Sequence, residues 1–181
     1  MTTTLTRHGD TTQYFSDWHT PNDVVLRSIK EFYNNEINLD PASDERANRT
    51  IQAQHYFTKE DNGLEKSWSG YGNHIFLNYP GGKTGSISNS TTWFNKAFNE
   101  FNINPDLNII ILLFSVEHIC INPGMLEHSI CFLRNRIKFS KYDEFGNLLP
   151  SKPTHSNSLL YIGNDYNKRF KDIFSNLGGC I

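Results

Sequence analysis

The sequence predicts an α/β fold, a central and mostly parallel sheet flanked by helices. Three observations carry that prediction. Residues 107–114 (LNIIILLF) form an apolar run, continuous but for Asn108, the pattern of a strand covered on both faces. Short apolar strands alternate with amphipathic helical stretches along the chain. Two of those strands run into turns of Asp, Asn, Pro and small residues, at the ends where α/β sheets bind ligands.

Each element has its own justification. Residues 1–16 are polar and Thr-rich and read as a flexible arm ahead of one domain, 17–181. A helix over 21–33 places Val24, Val25, Ile29 and Phe32 along one face, with Thr20 as cap and Pro21 in its first turn. A strand over 37–39 ends at Asp40-Pro41, and 43–54 suits a helix capped by Ser43 or Asp44. His74–Leu77 is a second strand, broken by Asn78-Tyr79-Pro80-Gly81-Gly82. Residues 91–101 are amphipathic, with Trp93, Phe94, Ala97, Phe98 and Phe101 as the apolar set. Residues 130–133, 136–139 and 158–162 read as strands, and 166–177 as a closing helix stopped by Gly178-Gly179.

Composition narrows the function classes. At 181 residues, 37% hydrophobic and 13% aromatic, the chain can bury a core and is not disordered. No apolar run approaches the roughly 20 residues that span a bilayer, and the amino terminus lacks the apolar core of a signal peptide. A cytoplasmic protein without a membrane partner is expected. Cys120, Cys131 and Cys180 are odd in number and widely spaced, so neither a disulfide framework nor a zinc knuckle is indicated. The seven histidines do not cluster at ligand spacing, so no metal site is expected; His118 and His128 read as independent surface residues.

Four patterns could carry chemistry. Asp40-Pro41-Ala42-Ser43 pairs an acid, able to take an amine or ribose hydroxyls, with small residues that let backbone N–H groups approach a ligand; a plain turn and helix cap has the same composition. Asn78-Tyr79-Pro80-Gly81 presents an amide oxygen on a rigid turn, where a base edge or exocyclic amine could be read; an Asn-rich turn is the alternative. Gly82-Lys83-Thr84 imitates the end of a phosphate-binding loop, but Leu77 stands where that motif requires its first Gly. Finally, Arg134, Arg136, Lys138 and Lys141 fall within eight positions, and on a strand the first three share a face. With a net charge of -2, attraction to nucleic acid has to be local, so this face is either a phosphate-binding surface or a solvated edge.

Taken in order, these pieces resemble the phage-type N-6 adenine-specific DNA methyltransferase (phage Dam) family. Asp17-Trp18-His19-Thr20-Pro21 resembles its W-x-T-P opening, and Asn38-Leu39-Asp40-Pro41-Ala42-Ser43 with Asn48 its acidic element. Tyr56-Phe57-Thr58, Asp61-Asn62-Gly63-Leu64 and Trp68 follow the same pattern. Phe76-Leu77-Asn78-Tyr79-Pro80 stands at the place of Asn-Pro-Pro-aromatic. Arg134-Asn135-Arg136-Ile137-Lys138-Phe139 and the segment from His155 to Gly163 match the later motifs, so the resemblance runs from about residue 17 to the end.

The resemblance implies a single Rossmann-like methyltransferase domain that uses S-adenosyl-L-methionine to methylate the exocyclic amine of adenine in double-stranded DNA, with no obligatory protein partner. It implies a catalytic turn of Asn78, Tyr79, Pro80 and Gly81. The cofactor would be held by Trp18, Thr20, Pro21, Asp40, Pro41, Ala42 and Ser43, with Asp61 and Leu64 at its adenine. Lys83, Arg134, Arg136 and Lys138 would meet DNA. The chain departs from the family where chemistry is expected: Tyr79 replaces the first Pro, and Gly81 the aromatic. Tyr79 or Tyr71 would then have to supply the face on which a flipped base stacks. The departure also leaves open a catalytically impaired DNA- or cofactor-binding relative, or transfer to another amine.

Overall fold

The computed structural model describes residues 19–143 and 147–181; the expected arm over 1–16, and Asp17 and Trp18, lie outside them. The sheet has seven strands: β1 (Leu39–Asp40), β2 (His55–Tyr56), β3 (His74–Leu77), β6 (Asn108–Leu113), β7 (Ser129–Leu133), β10 (Ser158–Ile162) and β11 (Gly178–Cys180). Their order is β11-β7-β10-β6-β3-β1-β2. Hairpins β4 (Lys83–Thr84)–β5 (Ile87–Ser88) and β8 (Lys141–Tyr142)–β9 (Leu148–Leu149) stand apart from it.

The sheet is evenly mixed rather than mostly parallel. β2–β1–β3–β6 pair in parallel, whereas β10 runs antiparallel to both β6 and β7, and β11 is antiparallel to β7. Two reversals leave β7 parallel to β6. The carboxyl ends of β1, β3, β6 and β7 therefore share one edge of the sheet.

Helices cover both faces. α1 (Val24–Phe32) and α5 (Asn167–Phe174) pack on one, in a cluster holding Leu26, Ile29, Phe32, Phe76, Ile110, Leu112, Tyr161, Phe170 and Phe174. α3 (Asn89–Ile103) covers the other, where Trp93, Phe94 and Ala97 meet Ile75, Leu77, Ile109, Ile111 and Leu160. All six residues of β6 are buried, as its apolar run requires. α2 (Glu45–Ile51) links β1 to β2, and α4 (Glu117–Ile121) follows β6.

Local chemistry moved several boundaries. α1 starts at Val24, not Pro21, because Asp23 Oδ1 accepts the N–H groups of Val25 (2.9 Å) and Leu26 (3.2 Å). This rotation buries Leu26 and leaves Val24 exposed. Asp44 caps α2 as expected, accepting from Ala47 N–H at 2.7 Å. Residues 136–139 are not a strand: Ile137 gives its N–H to the Asn157 side chain at 2.8 Å instead of to a sheet neighbour. Gly178-Gly179 does not stop the last helix, which ends at Phe174, but begins edge strand β11. A Cβ on Gly178 would collide with the Phe132 carbonyl, so only glycine lets β11 approach β7 there.

The β3–β6 pairing is fastened by a side chain. The buried Tyr33 hydroxyl donates to Ile75 O at 2.6 Å, lies 3.0 Å from Asn108 O, and accepts the Ile110 N–H at 2.9 Å. Tyr33→Phe should destabilise the protein by about 1–3 kcal/mol, since buried polar groups lose their partner. Chemical denaturation measures it, with the slope against denaturant unchanged.

Candidate functional site at the carboxyl edge

β1 and β3 are adjacent and parallel, with Leu39 opposite Ile75. Extending that register sets the Pro41-Ala42 turn level with Leu77-Asn78. From β1 the chain turns outward to β2, then crosses back over β1 to form β3. Such a switch of direction opens a crevice outside the strand ends, the usual ligand site of an α/β sheet.

The first wall of the crevice is the turn after β1. Asp40 is only 2% exposed, and burial raises its carboxyl from about 3.8 to about 7, partly offset by the Ala42 N–H donated to Oδ1 at 3.2 Å. Ser43 N–H bonds Phe57 O at 2.9 Å, and Phe57 N–H bonds Asp40 O at 3.0 Å, so the turn is tied to the end of β2. The loop carrying Asp61 and Leu64 leans directly on it: a Cβ on Gly63 would run into the Pro41 carbonyl, and Trp68 Nε1 holds Gly63 O at 2.9 Å. Leu64 and Ala42 flank the same apolar cluster. His19 brings the 19–21 segment to the turn through Asp44, 3.3 Å from its Nε2, and holds the Asp44 carboxyl down at about 2. The neighbouring Thr20 is buried, and its hydroxyl has no hydrogen-bond partner among the described residues.

Asp61 is differently engaged. One oxygen accepts from the Thr58 N–H and hydroxyl, each at 3.0 Å, and the other faces Lys66 at 3.2 Å. Thr58's N–H, chiefly, holds this carboxyl below the usual range. The expected cofactor residues Thr20, Pro21, Asp40, Pro41, Ala42, Ser43, Asp61 and Leu64 thus converge on one turn, while Trp18 lies outside the described residues.

The second wall is the turn after β3. Asn78 is half-buried, Pro80 and Gly81 are exposed, and Tyr79 is 6% exposed. The Tyr79 ring belongs to the apolar cluster under α3, and its hydroxyl lies 2.8 Å from His118 Nδ1. Burial pushes the Tyr79 phenol well up and the His118 imidazole down. A ring so packed is turned away from solvent, which removes the expectation that Tyr79 offers a stacking face. Tyr71 is half-buried, edge-on to His55 and Phe57.

Cations stand on the same edge. Arg134, Arg136 and Lys138 leave the end of β7 and are exposed. Only Arg136 and Lys138 alternate with buried Ile137 and Phe139, on the segment 136–139 outside the sheet, whereas Arg134 and the exposed Asn135 form a bend ahead of it. The expected strand face of three cations is therefore not formed. That segment ends at Ser140, bonded to His19 by two backbone hydrogen bonds of 2.9 and 3.0 Å. Lys83 sits on the exposed β4–β5 hairpin just past the 78–82 turn.

Sequence reasoning missed His118, which is half-buried against Tyr79 rather than an independent surface residue. His128 likewise packs against Phe94 and Phe98. It also missed Asn89, the first residue of α3, whose side chain bonds the carbonyls of Pro80 and Gly81. A histidine a few residues past a buried strand and one Asn among many carry no distinctive spacing.

A family model described as DNA N-6-adenine-methyltransferase (Dam) matches residues 9–168. No curated protein and no solved structure matches the chain.

Asp40 gives the site a pH signature. Its folded pKa, about 7, exceeds the unfolded value near 3.8, so the folded state binds more protons between those limits. This contribution to stability is full below about pH 4 and is lost as pH rises to about 7. Asp44, shifted the other way, contributes its full stability above about pH 4 and loses it only as pH falls toward about 2. Thermal melts of Asp40→Asn should therefore show a flatter pH dependence between 4 and 7 than wild type, with higher stability at pH 8.

Proposed function

The chain belongs to the DNA N-6-adenine-methyltransferase (Dam) family, and we propose on that premise that it is a phage-type, S-adenosylmethionine-dependent enzyme methylating the exocyclic amine of adenine in double-stranded DNA. The observation that carries the reading is that Asp40, the last residue of β1, and Asn78, the first residue past β3, stand at the carboxyl ends of adjacent parallel strands, at the point where strand order reverses.

The residues around Asp40 suit the cofactor. A buried carboxyl with a raised pKa and a buried Thr20 hydroxyl without a partner among the described residues both call for hydrogen-bonding groups from a ligand. S-adenosylmethionine carries ribose hydroxyls and an ammonium group that supply them, and when bound it provides an electrophilic methyl. Thr20, Pro21, Asp40, Pro41, Ala42 and Ser43 would hold it, Trp18 joining them from the preceding segment, with Asp61 and Leu64 toward its adenine. Because both Asp61 oxygens already have partners, that residue shapes the loop that brings Leu64 in.

The target amine is a poor nucleophile, its lone pair delocalised into the purine ring. Asn78 Oδ1 and the carbonyl of residue 79 accept its two hydrogens, which draws the nitrogen toward tetrahedral geometry and frees the lone pair for attack. Positioning and hydrogen bonding do the catalysis, without a covalent enzyme intermediate. Pro80 and Gly81 shape the turn that sets both acceptors. The base leaves the duplex to reach them, at a cost of a few kcal/mol in stacking and pairing. Lys83, Arg134, Arg136 and Lys138 would offset that cost by binding backbone phosphates.

No described helix is long and apolar enough to cross a membrane, and DNA and cofactor together suit a cytoplasmic role, in the host cytoplasm for a phage-encoded enzyme. Wild-type protein incubated with labelled S-adenosylmethionine and plasmid DNA should yield labelled 6-methyladenine on nucleoside analysis. Tight cofactor binding without transfer to DNA, RNA or protein would favour the impaired relative instead. Asn78→Ala should abolish transfer while leaving cofactor affinity within about twofold, because its bond matters in the transition state. Replacing Arg134 and Arg136 by Ala should reduce the salt slope of DNA binding by about 0.9 for each phosphate left unneutralised. An unchanged slope returns both residues to a solvated surface.

A further inference from the structure

One residue holds three consecutive carbonyls of the turn that follows β3. Asn89 donates its backbone N–H to Gly82 O at 3.1 Å, and its side-chain Nδ2 to Gly81 O at 2.9 Å and Pro80 O at 3.3 Å. Its Oδ1 accepts from the Thr84 hydroxyl at 2.9 Å, which ties in the β4–β5 hairpin. The anchor is firm, because Asn89 opens a 15-residue helix packed on the sheet through Trp93, Phe94 and Ala97.

The turn needs such an anchor. Its segment Asn78-Tyr79-Pro80-Gly81-Gly82 has a single proline followed by the two most permissive residues, with Gly82 at φ +91°. Left to itself it would sample many backbones, and fixing each residue costs conformational entropy. Asn is suited to the task. Asp has the same shape without donors, Ala has neither donors nor acceptor, and Gln is one methylene too long to superpose.

We propose that Asn89 is the positioning residue of the catalytic turn: it fixes the backbone that aims Asn78 and the carbonyl of residue 79, and couples that backbone to the hairpin facing DNA. The inference rests on the methyltransferase reading above. Its importance follows from alignment, since a misplacement of about 1 Å at reacting atoms can cost about 100-fold in rate.

The test compares wild type with Asn89→Asp, Asn89→Ala, Asn89→Gln and Thr84→Val, using plasmid DNA and S-adenosylmethionine. The readouts are single-turnover rate per folded molecule, KM for DNA, cofactor Kd and melting temperature. Asn89→Asp keeps an acceptor for Thr84 but loses both amide donations. Its rate should fall about 10- to 100-fold, with cofactor Kd within about twofold of wild type. Asn89→Ala should lose at least as much, and Asn89→Gln, still a donor, should recover part of the rate. Thr84→Val should raise KM for DNA and leave the saturated rate nearly unchanged. A merely structural Asn89 would lower the melting temperature and leave the rate per folded molecule intact; that result, or equal losses in the Asp and Gln variants, overturns the inference and leaves the enzyme reading standing. Wild-type protein that binds cofactor yet methylates no DNA overturns both.

Discussion

The parallel pairing of β1, β3 and β6 is the constraint on which the site depends, and Tyr33 is its fastening. A two-residue strand against a four-residue strand, and that strand against β6, offer few ladder bonds to fix the register. The Tyr33 hydroxyl, reaching from the end of α1 to Ile75 O and Ile110 N–H, adds bonds where a slip would begin. Asn38 does the same between β1 and β3, donating its backbone N–H to His74 O at 2.9 Å and accepting the His74 N–H on Oδ1 at 2.9 Å. A slip of one residue would reverse every side chain on β3 and carry Asn78 to the other face. The crevice is as well defined as these few bonds make it.

Much of this is legible in the sequence because it rests on strong patterns. The apolar run before Phe114 marks the central strand, the α3 periodicity marks its cover, and the turns after Asp40 and Leu77 mark the strand ends. What is not legible follows from non-local hydrogen bonding. Nothing near Ile137 announces that its N–H goes to Asn157, twenty residues on, and so residues 136–139 have the pattern of a strand without being one. The antiparallel half of the sheet is hidden because periodicity does not encode strand direction. The β4–β5 hairpin carries a readable signal in Gly85-Ser86, the Gly-first pattern of a two-residue loop, with Gly85 at φ +62°. Strands of two residues are too short for alternation to reinforce it.

The departure from Asn-Pro-Pro-aromatic has a structural counterpart. A proline in place of Tyr79 would lock φ and remove an N–H, stiffening the turn from within. Here the stiffness comes from outside: the Tyr79 ring is embedded under α3 with its hydroxyl on His118, and Asn89 ties down the residues that follow. Tyrosine in this position is thus a packing element. The function expected of an aromatic at Gly81 is not transferred to it.

Electrostatics at the carboxyl edge is consistent with a polyanionic substrate even though the chain carries a net charge of -2. The carboxylates built into the site are masked, each by its own means. Burial leaves Asp40 near half-protonated at neutral pH, His19 lies against Asp44, and Lys66 faces Asp61. The cations are presented instead. Buried Ile137 and Phe139 pin the backbone on both sides of Lys138 and next to Arg136, so these two side chains project from a fixed track. A track of that kind loses less entropy on meeting phosphates than a disordered basic segment would. The overall charge then matters little, because at physiological salt only charges within about 8 Å are felt unscreened. Within that range, the arginines at this edge are exposed while the site's acids are buried or paired.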